Sequence, residues 1–208
     1  MILRAKHHFF IYPFFQKYTL WKVKKIFHEV KILGELKDNN KPLLIISNHV
    51  SWWDGFWLMY LNLKLLKRKF HFMMLESQLR KFWFFNYSGG FSVNKNSRTI
   101  FETIDYTANL LSDTENMVII FPQGEINSIH NQKISFEKGI ERIIKKLKNE
   151  ITILFVANLT DYFSNPKPTI FQYIKEYNYE NFNFLDFENS YQKFYTESVE
   201  NQTKIKNS

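Results

Sequence analysis

Short apolar runs alternate with helical segments through the middle of this 208-residue chain, and this alternation constrains the fold most strongly. The apolar runs predict strands at residues 43–47, 70–75, 89–94, 117–121, 151–159 and 168–174. The segments between them predict helices at 55–66, 77–85, 97–111 and 135–148, the third with Ser97 as its N-cap. The pattern favours an α/β fold with a mixed, largely parallel central sheet flanked by helices.

The first 41 residues combine positive charge with bulky apolar side chains. They contain nine Lys or Arg residues against three acidic ones, and they include Phe9, Phe10, Phe14 and Trp21. A helical spacing places more apolar residues on one face: Val23, Ile26, Phe27, Val30 and Leu33. A basic amphipathic helix with aromatic residues is typical of a segment that lies at a membrane surface. The alternative is a helix that packs on the core and exposes its lysines.

Composition narrows the choice of class. Cysteine is absent, which excludes disulfides and thiolate metal sites. No run of 18 apolar residues occurs, so we expect no membrane-spanning helix. The formal charge of +8 and the 18% aromatic content suit a membrane surface or a nucleic acid, although codon bias in an AT-rich genome gives a similar composition. We expect one core domain at 42–175, an N-terminal segment at 1–41 and a polar C-terminal extension at 176–208.

His49 and Asp54 follow directly after the apolar run at 43–47. Open α/β sheets place their chemistry beyond the carboxyl ends of strands. A histidine oriented by a carboxylate can take the proton of a hydroxyl and so activate it as a nucleophile. Since five residues turn about 140° beyond one full helical turn, we expect His49 in a loop and Asp54 in the first turn of the next helix. The alternative is a surface histidine beside a helix-capping aspartate.

Polar residues also follow two later strands of the predicted sheet. Asn94 and Lys95 come after one strand, and a second set comes after another: Pro122, Gln123, Gly124 and Glu125. Because loops at the carboxyl ends of parallel strands meet at one edge, we expect these residues near His49.

These motifs resemble the lysophosphatidate/glycerolipid acyltransferase family. Asn48, His49 and Asp54 match that family's first motif, an Asn-His pair followed by four residues and Asp. Residues 121–125 match its Phe-Pro-Glu-Gly motif in part, and residues 89–95 are a weakened version of its glycine-strand-Arg motif. Residues 151–158 supply the apolar strand of its fourth motif without the proline. The resemblance extends from residue 43 to about residue 159.

The resemblance implies an O-acyltransferase that moves a fatty acyl group from an acyl thioester to a hydroxyl of a lysophospholipid or related glycerolipid. His49 would act as the general base and Asp54 would orient it. The implied substrate-binding residues are Asn48, Asn94, Lys95, Arg98, Pro122, Gln123, Gly124 and Glu125, with a backbone N–H beside Gly124 as the oxyanion donor. Neither a metal nor a cofactor is implied, and acyl-CoA or an acyl carrier protein thioester would be the co-substrate. The expected partners are a membrane surface and a lipid acceptor, at the cytoplasmic face and without a spanning segment.

Departures from the motifs leave the acceptor open. In the family, arginines of the second and third motifs hold the acceptor's phosphate; here Lys95 and Ile126 stand at those positions, with Arg98 close by. Glu125 adds a negative charge. The alternative acceptor is therefore a lipid hydroxyl without phosphate, such as a glycosylated isoprenoid or an amino-acid lipid. A nucleic-acid-binding protein is the rival class, but the chain has no recognisable nucleic-acid motif.

Overall fold

Seven strands form one sheet in the computed structural model, which describes residues 1–37, 40–95 and 98–205. In chain order they are β1 (Val30–Leu33), β2 (Leu43–Ser47), β3 (Lys69–Leu75), β4 (Gly90–Val93), β5 (Asn116–Ile120), β6 (Thr152–Asp161) and β7 (Thr169–Tyr177). The order across the sheet is β1-β7-β6-β2-β5-β3-β4. Neighbouring strands are parallel except for the antiparallel pair β6 and β7. This arrangement confirms the predicted mixed, largely parallel sheet.

Helices cover both faces of the sheet. They are α1 (Ile11–Ile26), α2 (Asp54–Leu61), α3 (Glu76–Lys81), α4 (Thr99–Leu110), α5 (Gly139–Lys145) and α6 (Phe184–Thr203). A π-helical turn (Asn62–Leu66) extends α2, and a 3-10 turn (Trp83–Phe85) follows α3. Apolar residues of α4, α5 and α6 pack on one face, and those of α1 and α2 pack on the other. None of the helices in the described part of the chain is long and apolar enough to cross a membrane.

Burial on both faces explains why β2 reads as an uninterrupted apolar run. Leu44 and Ile46 belong to the cluster beneath α4, α5 and α6, whereas Leu43 and Ile45 belong to the cluster beneath α2. A parallel strand between two helical layers has no solvent face, so apolar residues occupy successive positions rather than alternate ones. The prediction of a strand at 43–47 is confirmed to the residue.

The other predicted strands are confirmed to within three residues, but the predicted helix at 135–148 is shorter. It begins at Gly139. The preceding residues run as an irregular segment in which Ile134 and Phe136 are buried, and the Phe136 N–H donates to the Glu188 carboxylate of α6 at 2.6 Å. A side chain of α6 therefore accepts a backbone N–H group in this segment, in place of a helical hydrogen bond. The predicted N-cap Ser97 lies outside the described residues.

The prediction that Val30 and Leu33 extend the N-terminal helix is wrong. The helix ends at Ile26, and Phe27 adopts an extended conformation with φ −102° and ψ 150°. The next residues form β1, where Val30 pairs with Ile170 and Leu33 with Tyr173 of β7. The spacing of apolar residues in 23–33 fits a helix, but the open edge of β7 offers backbone hydrogen bonds that a helix over these residues would leave unmade.

The segment at 176–208 contributes to the core although its composition is polar. Within it α6 buries four aromatic side chains against the sheet: Phe187, Tyr191, Phe194 and Tyr195. Their three- and four-residue spacing places them on one helical face. The predicted domain boundaries stay a prediction, with β1 and α6 both packed against elements of the predicted core.

Candidate active site

His49 lies in the loop after β2, and Asp54 opens α2, as the sequence predicted. Asp54 Oδ2 lies 2.7 Å from His49 Nδ1. The same oxygen accepts the backbone N–H groups of Val50 at 2.7 Å and Ser51 at 2.9 Å. An ionised carboxylate can only accept hydrogen bonds, so Nδ1 carries the proton and a neutral His49 keeps Nε2 as a proton acceptor.

Burial defines the electrostatics of this pair. Asp54 is fully buried, and its Oδ1 has no hydrogen-bond partner among the described residues. Burial raises the pKa of the Asp54 carboxyl, while the contact with His49 and the two N–H donors partly offset this rise. The His49 side chain is 22% exposed, and its ring stacks on Phe121 with centroids 4.1 Å apart. His49 is therefore held on two sides and still reaches solvent.

The side chain of Asn48 connects the His49 loop to β6 by hydrogen bonds. Its side-chain Nδ2 donates to the Asn158 carbonyl at 2.9 Å, and its Oδ1 accepts the Asn158 N–H at 2.8 Å. The Asn158 side chain in turn donates to Ser47 Oγ at 3.1 Å and accepts from Gln172 of β7 at 2.9 Å. All four residues are buried, so they fix the position of the start of the His49 loop relative to the sheet. Asn48 does not line the cavity described below, and substrate contact by it stays a prediction.

The loop after β5 contacts His49 from the other side. Gln123 Oε1 accepts the His49 backbone N–H at 2.7 Å. Gly124 has φ +72°, and a Cβ at this position would lie 2.4 Å from Lys95 Nζ. The Gly124 N–H donates to the Phe121 carbonyl at 3.1 Å, so this N–H stabilises the turn. The predicted oxyanion donor was a backbone N–H beside Gly124, and that role stays a prediction for the residues next to Gly124.

Lys95 and Glu137 form an ion pair over this loop. Lys95 Nζ lies 3.0 Å from Glu137 Oε1 and donates to the Gly124 carbonyl at 3.2 Å. The Glu137 N–H donates to the carbonyl of the buried Pro122 at 2.8 Å. Sequence reasoning missed Glu137, because it placed this residue in a regular helix. The sequence offered no local signal for it, because Phe136, Ile140 and Ile143 recur at helical spacing.

A cavity of about 740 Å³ opens in front of His49. On the α1 and α2 side its wall includes Phe15, Phe56, Met59, Phe70 and Phe72, and on the α4 and α5 side it includes Ile100, Ile104, Ile120, Ile140 and Ile143. The cavity thus passes over the carboxyl ends of the strands from one face of the sheet to the other.

The remaining predicted site residues divide into two groups. Lys95, Pro122, Gly124 and Glu125 line the cavity with His49. Asn94 and Arg98 are exposed nearby and do not contribute to its wall. The structure therefore brings together predicted residues from the loops after β4 and β5. Their roles toward a substrate remain predictions.

Comparison with known proteins agrees with the motifs. The family model described as Acyltransferase matches residues 24–157. The fold is similar to the crystal structure of the 1-acyl-sn-glycerophosphate (LPA) acyltransferase PlsC from Thermotoga maritima, with a TM-score of 0.69 and 16% sequence identity over 94% of this chain and 81% of that one. The comparison with curated proteins gives no match. Because the family model covers more than half of the sequence, including the His49 and Asp54 loop, the chain belongs to the acyltransferase family.

Proposed function

We propose that this enzyme transfers a fatty acyl group from an acyl thioester to a hydroxyl of a glycerolipid, with His49 as the general base. The observation that carries the proposal is the 2.7 Å contact between His49 Nδ1 and Asp54 Oδ2 at the wall of a largely apolar cavity. A fixed Nδ1 proton leaves Nε2 to receive the proton of an acceptor hydroxyl. The solved PlsC structure, named as an acyltransferase for 1-acyl-sn-glycerophosphate, supports a glycerolipid as the acceptor class.

The reaction balances with the groups on the cavity wall. Nε2 of His49 removes the hydroxyl proton, and the oxygen attacks the thioester carbon. The tetrahedral intermediate collapses with cleavage of the carbon–sulfur bond, and the protonated imidazole returns its proton to the departing thiolate. The products are an ester and a thiol. Asp54 stabilises the imidazolium between the two proton transfers.

A membrane surface supplies both the acceptor and a docking site for α1. Large apolar side chains in α1 and directly before it face solvent, among them Phe9 (73% exposed), Phe10 (69%) and Phe14 (63%). Lys22 and Lys25 lie over the exposed Trp21 ring at 5.2 and 5.1 Å. Aromatic groups beside lysines suit the boundary between lipid headgroups and acyl chains. We place the enzyme on the membrane by this surface, with acyl-CoA or acyl carrier protein thioester delivered from the aqueous side.

Thiol release tests the proposal directly. Wild type and His49→Ala are given palmitoyl-CoA or palmitoyl-acyl carrier protein with three acceptors: 1-oleoylglycerol, 1-oleoyl-lysophosphatidate and 1-oleoyl-lysophosphatidylethanolamine. We expect release that depends on an acceptor and falls about 10²- to 10⁴-fold in His49→Ala, since general-base catalysis contributes that much. His130→Ala, at an exposed histidine outside the cavity, should retain wild-type rates. Unchanged rates in His49→Ala would remove His49 as the base.

A further inference from the structure

The charged groups that line the cavity carry a net negative charge. Among the described residues they are Lys95, Glu125 and Glu137, one ammonium against two carboxylates. His49 must be neutral to act as a base, so it adds no positive charge before the reaction. On the cavity wall, an acceptor therefore meets two carboxylates and one ammonium.

The Lys95 ammonium is already engaged by protein groups. It contacts the Glu137 carboxylate at 3.0 Å and the Gly124 carbonyl at 3.2 Å. Both side chains of the ion pair are partly exposed, 40% for Lys95 and 59% for Glu137, so the pair adds little to stability. Its importance lies in its location at the mouth of the cavity, where Glu137 competes with any anion for Lys95.

The ion pair adjoins the loop that contacts His49, and both residues of the pair line the same cavity as His49. It sits over Gly124, and the preceding residue, Gln123, accepts the His49 backbone N–H. An acceptor hydroxyl within hydrogen-bond reach of His49 Nε2 would bring the rest of its head group toward Lys95 and Glu137. The charges of these two residues therefore act on the acceptor head rather than on a remote part of the lipid.

From these charges we infer that the preferred acceptor is a lipid alcohol whose head carries hydroxyl groups and no phosphate monoester, and that Glu137 enforces this choice. This inference rests on the proposed function. A phosphate monoester bears about −1.5 to −2 charges at pH 7. It would have to displace Glu137 from Lys95 and then face two carboxylates. Hydroxyl groups can donate to Glu125 and Glu137 and accept from Lys95 with the ion pair intact.

A matched pair of acceptors tests the inference, because 1-oleoylglycerol and 1-oleoyl-lysophosphatidate differ only by the phosphate. Both are presented at equal mole fraction in neutral detergent micelles, with palmitoyl-CoA as donor. We expect wild-type kcat/KM to be at least tenfold higher for 1-oleoylglycerol. Glu137→Gln should narrow this ratio at least tenfold, mainly by lowering KM for lysophosphatidate. Lysophosphatidate makes the micelles anionic, and the positively charged protein attracts them. This attraction favours lysophosphatidate and so works against the expected preference for 1-oleoylglycerol.

Glu141→Gln is the matched control. Glu141 lies in α5 and, like Glu137, forms an ion pair, with Lys145 at 2.6 Å, but it does not line the cavity. The control should keep the wild-type acceptor ratio. Preference of wild type for lysophosphatidate, or an equal ratio in wild type and Glu137→Gln, would overturn the inference and leave the proposed function standing. Absence of acceptor-dependent thiol release with every acceptor would instead contradict the proposed function, and the inference with it.

Discussion

Asn48 and Asn158 show how single residues fix the position of the His49 loop. Each makes hydrogen bonds that no apolar residue of the same size could replace, and both are buried. The paired bonds between the Asn48 side chain and the Asn158 backbone continue the β2–β6 contact one residue past the last strand position, Ser47. The loop that carries His49 therefore leaves the sheet at a defined point.

Substitution of Asn48 by Ala should destabilise the protein. The Asn158 N–H and carbonyl would lose their partner in a buried site, and each unsatisfied group costs about 1–3 kcal/mol. We expect the free energy of unfolding to fall by about 2–4 kcal/mol, measured by urea denaturation. Asn189→Ala, at an exposed position of α6, is the control and should change it by less than about 0.5 kcal/mol. Equal stability of the two variants would show that the paired bonds contribute nothing.

At the scale of elements, α1 has two functions. Its inner residues pack on α2 and the sheet, with Val23 buried and Phe15 and Thr19 on the cavity wall. Its outer residues form an aromatic stripe in which Phe14, Tyr18 and Trp21 follow one another at ring distances of 6.0 and 5.9 Å. One helix therefore links the surface that faces solvent to the cavity lined by His49.

Removal of the aromatic stripe should weaken membrane binding. In the double variant Phe14→Ser and Trp21→Ser, we expect the bound fraction in sedimentation with anionic vesicles to fall at least fivefold, because buried apolar area contributes to interfacial affinity. The fold should persist, since the two side chains are 63% and 53% exposed. Leu185→Ser removes an equally exposed apolar group from α6, on the opposite face of the sheet, and should bind as wild type does. A double variant that binds like Leu185→Ser would exclude α1 as the docking surface.

The N-terminal residues before α1 are attached to β3 by a pair of histidines. His7 Nε2 donates to the Phe70 carbonyl at 2.9 Å, and its ring lies 4.7 Å from those of His71 and Tyr12. Burial lowers the pKa of both histidines, and burial with the neighbouring His7 charge lowers the pKa of His71 to about 4. Both histidines are therefore neutral in the folded protein at pH 7.

Acid should destabilise the protein through this pair. Unfolded His71 titrates near 6.5, so between pH 6.5 and about 4 the unfolded state binds more protons and stability falls as pH falls. The contribution of His71 amounts to at most about 3 kcal/mol. His71→Phe should flatten the decline of unfolding free energy measured by urea denaturation between pH 7 and pH 4.5. His130→Phe should keep the wild-type slope, and an unchanged slope in His71→Phe would contradict the assignment.

At the scale of the whole molecule, the cavity joins the two faces of the sheet. On the α1 and α2 side the wall is mostly apolar and aromatic, whereas the α4 and α5 side also contains the charged residues Lys95 and Glu137. A fatty acyl chain gains most from the side without charges. We therefore expect the acyl chain of the thioester to occupy the space beneath α1 and α2.

Two glycines provide a matched test of this expectation. Gly55 near the start of α2 and Gly139 at the start of α5 both line the cavity, and a Cβ added at either meets no atom within 4 Å. Gly55→Leu should lower the ratio of palmitoyl-CoA to decanoyl-CoA use about tenfold or more, because the added side chain shortens the space for the chain. Gly139→Leu should leave this ratio close to wild type. A larger effect of Gly139→Leu would place the acyl chain on the α4 and α5 side.

The sequence by itself determined most of the elements and the pairing of His49 with Asp54, because both depend on local order. An apolar run of five residues specifies β2, and the five-residue separation of His49 and Asp54 puts one in a loop and the other at a helix start. The same local reasoning failed for Val30 and Leu33, whose spacing fits a helix but whose partners in the sheet lie 140 residues away in β7.

Only the tertiary structure decided what surrounds His49. Asn158 and Gln172 interrupt apolar strands, and their local sequence does not show what they bind. The register of β6 against β2 brings Asn158 to Asn48, and the register of β7 against β6 brings Gln172 to Asn158. Lys95 and Glu137 are 42 residues apart and meet only because two loops converge at one edge of the sheet. Local sequence carries propensity and periodicity, whereas contacts between distant residues depend on strand order and packing, which no single segment encodes.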